Sequence, residues 1–305
     1  MSNKILEVKN LTKKFGKFTA VDRVSFSLRE GEILGLLGPN GAGKTTTIHM
    51  LLDVLTPTFG EINYFGKNLT DHRSEILKRV NFSSAYISLP WLFTIEEALT
   101  VFAELYEIPN KKKRIDKLLS EFEIEHLRKK QVYKISAGEK ARLLLTKAFL
   151  NYPEIILLDE PTASLDPDIA VKIREFLKRE RKEYKVSMLF TSHNMNEVEE
   201  MCDRIVFLNK GKIIAEDKPE NLAKQISDSE VELLIEEDEK ATRLFTREKI
   251  TYLKDRNIFR ITIKTIEIPH LLTLLTSNEV EFQDISINKP GLEDYFLKIS
   301  KGVKK

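Results

Sequence analysis

An α/β fold built on a largely parallel sheet, followed by a smaller α+β domain, is what this 305-residue sequence predicts. Three observations carry that prediction. Short, continuously apolar runs at Ile33–Leu37, Ile155–Leu158 and Val186–Phe190 read as strands buried on both faces. Each runs into polar or glycine-rich residues and then into helical spacing, the alternation that builds parallel sheets. After Asn209 the pattern changes to short alternating strands and helices. The division expected is residues 1–225 and 226–305.

The elements follow in order. Leu6-Glu7-Val8 and Val24–Leu28 alternate with period two and read as antiparallel strands beside the core sheet. Ile33–Leu37 ends at Gly38-Pro39-Asn40-Gly41, a buried strand entering a tight loop. From Thr45 to Leu55, apolar Ile48, Leu51, Leu52 and Leu55 recur at helical spacing, and Pro57 closes the segment. Lys210-Gly211-Lys212 is a turn between Ile205–Leu208 and Ile213–Ala215, and Pro219 opens a short helix. Six of the ten residues from Glu230 to Glu239 are acidic, which reads as a solvated strand edge or loop. Beyond it, Ile258–Ile263 reads as a strand, Ile268–Leu275 as a helix, Val280–Ile287 as a strand and Leu292–Ile299 as a helix. No internal repeat is evident.

Composition narrows the function. Hydrophobic residues make up 42% of the chain and charged residues 31%, which suits a sizeable core under a solvated surface. Lys and Arg number 49 against 47 Asp and Glu, for a net charge of +2. Residues 221–305 hold 14 basic and 15 acidic residues, so neither part has the basic excess of a nucleic-acid binder. Cys202 is the sole cysteine, so no intrachain disulfide forms and a reducing compartment fits. Five scattered histidines give no zinc-ligand spacing. No apolar stretch approaches the ~20 residues of a membrane helix. The start, Met1–Glu7, lacks the apolar core of a signal peptide. The expectation is a cytoplasmic chain that reaches a membrane only through another protein.

Gly38-Pro39-Asn40-Gly41-Ala42-Gly43-Lys44-Thr45 matches G-x-x-x-x-G-K-[ST] at every required position. The backbone N–H groups of Gly41 to Thr45 must turn inward around an anion, and glycines permit that bend. The helix beginning near Gly43 aims its positive end at phosphates. Lys44 reaches the β- and γ-phosphates and Thr45 places a hydroxyl on Mg2+, with Thr46 completing the loop's contacts. Nucleotide binding is therefore expected. Asp159 lies 115 residues after Lys44, at the end of Leu157-Leu158-Asp159-Glu160. There Asp159 can hold the Mg2+ shell through water, and Glu160 can polarise a water against the γ-phosphate.

At this point the sequence resembles the ATP-binding subunits of ABC transporters, over about residues 4–225. Ile135-Ser136-Ala137-Gly138-Glu139 resembles the signature segment, Ser164-Leu165-Asp166 the D-loop, and His193 in Thr191-Ser192-His193 the switch histidine. Phe15, in Lys14-Phe15-Gly16, stands where the family places the aromatic that stacks on adenine. The resemblance implies a P-loop ABC ATPase with an antiparallel β subdomain and a helical subdomain, plus the small C-terminal α+β domain. It implies catalytic roles for Glu160 and His193. In the family the signature contacts the γ-phosphate held by a second subunit, so Ser136, Ala137, Gly138 and Glu139 imply a homodimer or a heterodimer with a related chain. The segment Pro290–Leu297 resembles the close of ATPase subunits of drug-, sodium- and antibiotic-export systems.

That resemblance implies an ATPase that powers export through a separate membrane-spanning permease. The chain would then lie on the inner face of the cell membrane, with ATP as ligand, Mg2+ as cofactor and no nucleic acid. Docking is expected around Phe82–Leu99, where Ile87-Ser88-Leu89-Pro90-Trp91-Leu92-Phe93 is apolar for a connection. The alternatives are a weakly hydrolysing, nucleotide-gated regulatory module and a soluble ABC protein not engaged in transport. The family signature is usually Leu-Ser-Gly-Gly-Gln, and Ile135, Ala137 and Glu139 depart from it. Ala85 falls where the family has its glutamine-loop glutamine, and no glutamine precedes Gln131. Ser83, Ser84 or water would then complete the metal shell.

Overall fold

A computed structural model describes residues 3–84, 87–225 and 228–302. It divides into two compact units, Met1–Pro219 and Glu220–Lys305, so the division falls before the expected 225/226.

The first unit opens with β1 (Lys4–Phe15) and β2 (Phe18–Arg29), an antiparallel hairpin closed at Phe15↔Phe18. Its buried residues, among them Leu6, Val8, Leu11, Val24 and Leu28, lie on the core side. Next come β3 (Ile33–Leu37) and α1 (Lys44–Leu51). This helix stops a turn before the apolar spacing does: Asp53 adopts a left-handed φ of 54°, and the amides of Val54 and Leu55 both bond the carbonyl of His49. The chain continues through β4 (Phe59–Tyr64), β5 (Lys67–Asn68), α2 (Arg73–Leu77) and β6 (Val80–Ser84). Helices α3 (Ile95–Leu105), α4 (Lys111–Glu121) and α5 (Ala137–Ala148) follow without an intervening strand. Then come β7 (Ile155–Asp159), α6 (Pro167–Tyr184), β8 (Ser187–Thr191), α7 (Met195–Met201), β9 (Arg204–Asn209) and β10 (Lys212–Asp217); α8 (Pro219–Ala223) begins at the last residue of this unit and runs into the second.

Among the described residues the strands of this unit form two sheets. One is antiparallel, in the order β2-β1-β4-β5. The other runs β10-β9-β3-β8-β7-β6 and is parallel throughout except for the β9–β10 pair. Every residue of β3, β7 and β8 is buried, as strands covered on both faces require. Gly35 in β3 has a packing reason: a Cβ there would lie 3.1 Å from Cys202 Sγ. Cys202 is itself buried, and burial pushes its thiol well above the usual range, so it is a packing residue and not a nucleophile. The carboxyl ends of β3, β7 and β8 lie side by side, where open α/β sheets bind ligands.

The second unit holds β11 (Asp228–Leu234), α9 (Asp238–Arg247), β12 (Tyr252–Asp255), β13 (Ile258–Lys264), α10 (Ile268–Ser277), β14 (Asp284–Asn288) and α11 (Leu292–Gly302). Its sheet is antiparallel in the order β12-β13-β11-β14, the β-α-β-β-α-β arrangement of ferredoxin-like domains. The acidic segment is thus a loop only over residues 235–237. It contains β11, an inner strand paired on both sides, and the start of α9. Val231, Leu233 and Ile235 are buried while the intervening Glu232 and Leu234 are only half-buried, so the period-two pattern outweighs the acidic count. The strand expected over Val280–Ile287 is shorter, beginning at Asp284, while Val280 is buried in the core of the unit.

Candidate active site

The phosphate loop leaves the end of β3 and closes onto α1. Two of its glycines are sterically required. Gly38 has φ 149°, and a Cβ there would sit 2.2 Å from the carbonyl oxygen of Leu208. Gly43 caps α1 at φ 103°, and its Cβ would meet the carbonyl oxygen of Ala20 at 2.6 Å. The loop is braced from behind. Ala42 is buried, its N–H donates to the carbonyl of Pro39 at 3.1 Å, and its own carbonyl accepts from Gly211 N at 3.0 Å. Asn40, Gly41 and Thr45 face outward and Thr46 is half-buried, so the cradle is open on its ligand side.

Lys44 Nζ donates to the carbonyl oxygens of Gly38 (2.5 Å) and Pro39 (3.2 Å), folding the ammonium across the mouth of the loop. Burial lowers its pKa, and the nearby Glu160 and Asp159 carboxylates oppose that shift. Those two carboxylates end β7. Asp159 is buried, and its Oδ1 accepts from Thr191 Oγ1 (2.7 Å) while its Oδ2 accepts from Ser84 Oγ (3.2 Å). Glu160 leaves the sheet in a left-handed conformation, φ 53°, held by its N–H to the carbonyl and hydroxyl oxygens of Thr191, both at 3.1 Å. A non-glycine residue at positive φ is uncommon, and this one stands where the chain leaves the strand. His193 Nε2 lies 2.8 Å from Glu160 Oε1. The sequence-predicted Lys44, Asp159, Glu160 and His193 are therefore assembled at one edge.

The signature segment forms the first turn of α5. Ser136 is its N-cap: Ser136 Oγ accepts from Glu139 N at 3.2 Å, and Glu139 Oε2 accepts from Ser136 N at 2.6 Å. That backbone hydrogen bond, with Lys130 Nζ at 3.5 Å, holds the Glu139 carboxyl below its ordinary range. Glu139 thus spends its charge on capping its own helix. Gly138 packs on the D-loop, where an added Cβ would be 3.2 Å from the carbonyl oxygen of Ser164. Asp166 N-caps α6 without a side-chain capping bond and is exposed, with Pro167 next in line. The hydrogen bonds of Ser136 and Glu139 stay with each other, so this turn presents the free end of α5 outward.

Phe15 ends β1 half exposed, with Lys13 Nζ 5.2 Å from its ring centroid. Ala85 lies outside the described residues. In the connection after it, Leu89 is buried, whereas Trp91 and Leu92 are 63% and 57% exposed. Backbone bonds from Tyr133 N to Trp91 O and from Val132 N to Phe93 O hold that segment, and Trp91 stacks edge-on to Tyr133 at 6.1 Å.

Sequence reasoning missed three participants: the bond from Ser84 to Asp159, the bond from Thr191 to Asp159, and Glu197. Ser84 and Thr191 are the register partners of Asp159 on the two neighbouring strands, a relation that exists only once β6, β7 and β8 are aligned. Glu197 follows His193 by one helical turn, and nothing in its local spacing marked it.

The residues present fit a magnesium-bound nucleotide. No group of three or more His, Cys, Asp or Glu able to hold a metal exists among the described residues. The local donors are one exposed threonine hydroxyl and one carboxylate held by two hydroxyls, which suits an ion that arrives with phosphates and keeps its waters.

Residues 21–163 match the ABC transporter family. The bacitracin transport ATP-binding protein BcrA of Bacillus licheniformis is 33% identical over 304 residues, covering 98% of both chains. An ATP-binding subunit of an ABC transporter superposes with a TM-score of 0.68 at 29% identity, covering 72% of this chain and 92% of the other. A dimeric ATP-binding cassette in a post-hydrolysis state with ADP and Pi superposes with a TM-score of 0.65 at 27% identity, covering 70% and 98%. With a phosphate loop, strand-end carboxylates and signature turn on a cassette fold, and a relative matched along nearly its whole length, the chain belongs to the ATP-binding subunits of ABC transporters.

Proposed function

We infer that this chain binds and hydrolyses ATP to drive export through a separate membrane permease. The observation that carries this reading is the 2.8 Å contact of Glu160 and His193 beside Lys44. In the proposed step Glu160 takes a proton from a water, and the water oxygen attacks the γ-phosphorus as ADP leaves. His193 orients the Glu160 carboxylate and the attacked phosphate. Phe15 stacks on adenine, and the backbone of Gly38 to Thr46 with Lys44 Nζ holds the phosphates. Thr45 would hold Mg2+ together with the phosphates, and Asp159 would do so through water. When bound, that ion neutralises charge on the β- and γ-oxygens.

Ser136, Ala137, Gly138 and the positive end of α5 contact the γ-phosphate of a second ATPase chain, and Asp166 lies at the same junction. Glu139 supports that contact by capping the turn. The partner is a copy of this chain or a related chain. The exposed Trp91-Leu92-Phe93 segment docks on the permease, which places the chain on the inner face of the membrane. BcrA is a bacitracin transport ATP-binding protein, which favours antibiotics as the exported class.

Glu160→Gln tests the reading. The amide keeps the shape and cannot accept the proton, so ATP binding is retained while turnover falls by about 10²–10⁴-fold. The variant with ATP and Mg2+ should elute as a dimer in size-exclusion chromatography. Wild-type turnover in Glu160→Gln refutes the general-base role.

A further inference from the structure

We propose that Glu197 is a positioning residue for ATP hydrolysis, its buried carboxylate clamping the loop after Glu160 to the segment that carries His193. The proposal rests on the reading of Glu160 and His193 given above.

Glu197 sits in the first turn of α7, where its N–H donates to the N-cap Asn194 Oδ1 at 3.3 Å. Its side chain is not spent on that cap. The residue is 4% exposed, and its two oxygens accept hydroxyls from two different loops. Oε1 accepts from Thr162 Oγ1 at 2.6 Å, and Oε2 accepts from Ser192 Oγ at 2.7 Å. These are short, charge-assisted bonds. Arg174 Nη1 of α6 stands 3.9 Å from Oε1 and offsets the buried charge.

The placement gives the carboxylate its role. Thr162 is two residues after Glu160, and Ser192 immediately precedes His193. On the strand side, Thr191 fixes Asp159 and Glu160 through three hydrogen bonds. On the far side, Thr162–Glu197–Ser192 is a second crossbar. The Glu160–His193 contact lies between the two, so both loops are pinned on either side of the reacting pair. Burying a carboxylate is costly unless it is fully bonded, and here its bonding serves these two loops. Thr162 also leads into Ser164-Leu165-Asp166, so the same clamp holds the start of the D-loop.

An amide at this position carries no charge to strengthen either bond, and its Nε2–H can bond the second hydroxyl only if that hydroxyl turns its own proton away, so the clamp on both loops is loosened. Displacements of about 1 Å at a reacting centre cost on the order of 10²-fold. In the full chain, Glu197→Gln should lower kcat by about 10–100-fold while KM and the ATP dissociation constant stay within about three-fold. Thr162→Val and Ser192→Ala, which leave the carboxylate in place, should each lower kcat by less. Adding Glu197→Gln to that pair should cost little more, because all three act through one clamp. Wild-type kcat in Glu197→Gln overturns the proposal, as does an equal loss of ATP affinity or fully multiplicative effects. Glu160→Gln is assayed alongside. If it hydrolyses normally, the general-base reading has failed; if it is slow while Glu197→Gln is normal, only the clamp has failed.

Discussion

Lys147 on α5 is a lysine buried where the helices meet the sheet, and its replacement by methionine should change how stability depends on pH. Its Nζ donates to Asn81 Oδ1 of β6 at 2.8 Å and lies 5.5 Å and 5.9 Å from the ring centroids of Phe102 and Tyr106 of α3 and its cap. No carboxylate pairs with it in these contacts. Burial lowers its pKa from the ordinary 10.5 to about 8. Each pKa step is worth about 1.4 kcal/mol, so keeping the ammonium in place costs roughly 3 kcal/mol. Below pH 8 the folded and unfolded chains both hold the proton, and the full cost is present. Between pH 8 and about 10.5 the unfolded chain holds the proton that the folded chain has released, so stability rises with pH. Above that range the cost is gone. Urea unfolding followed by fluorescence reports the first unit, because the single tryptophan, Trp91, lies in it. Relative to Lys147→Met, the wild-type protein should gain up to about 3 kcal/mol between pH 7.5 and 10.5. A difference that stays flat over that interval, or falls, refutes the argument that desolvation governs Lys147.

Three further outcomes are expected. Lys44→Ala removes the ammonium from the mouth of the phosphate loop and should weaken ATP binding by about 3 kcal/mol, or roughly 100-fold, in isothermal titration; unchanged affinity would remove the phosphate-loop assignment. Tyr64→Phe deletes a fully buried hydroxyl that donates to Leu51 O at 3.0 Å, and should lower the urea-derived stability of the first unit by about 1–2 kcal/mol. Ser84→Ala takes one hydroxyl from Asp159 and should lower steady-state ATPase activity with ATP affinity unchanged, whereas Ala85→Gln should raise it. If Ser84→Ala alone loses activity and Ala85→Gln gains none, a missing amide ligand at Ala85 does not limit turnover.

Much of the site was legible because its parts are contiguous. Gly38 to Thr45 is one loop, and the reasons for its glycines are local: a left-handed turn and close backbone approach. Asp159 and Glu160 are legible for the same reason, since an apolar run ending in two carboxylates marks the end of a buried strand. The signature turn was legible as a helix start, whereas the capping of Ser136 by Glu139 emerged only with the structure. The parallel-sheet core follows from continuously apolar runs, whose burial needs no partner to be named.

The acidic segment shows where local reading misleads. Six acidic residues in ten suggested solvent, yet the alternate positions Val231, Leu233 and Ile235 carry an inner strand. Which side of a strand is covered depends on its neighbours, and those neighbours, β13 and β14, lie tens of residues away in the chain.

By itself the sequence determined the phosphate loop, the strand-end carboxylates and the α/β class, because each depends on neighbours within a turn or a strand. Only the tertiary structure decided how these parts work together. Asp159 meets Thr191 and Ser84 through strand register, across 32 and 75 residues of chain. Glu160 reaches His193 because β7 and β8 end together, and Glu197 bonds Thr162, 35 residues away, because α7 packs back beneath both loops. Side-chain hydrogen bonds need placement to within a few tenths of an ångström, and no spacing along the chain fixes a distance between segments that fold back from opposite ends of helices.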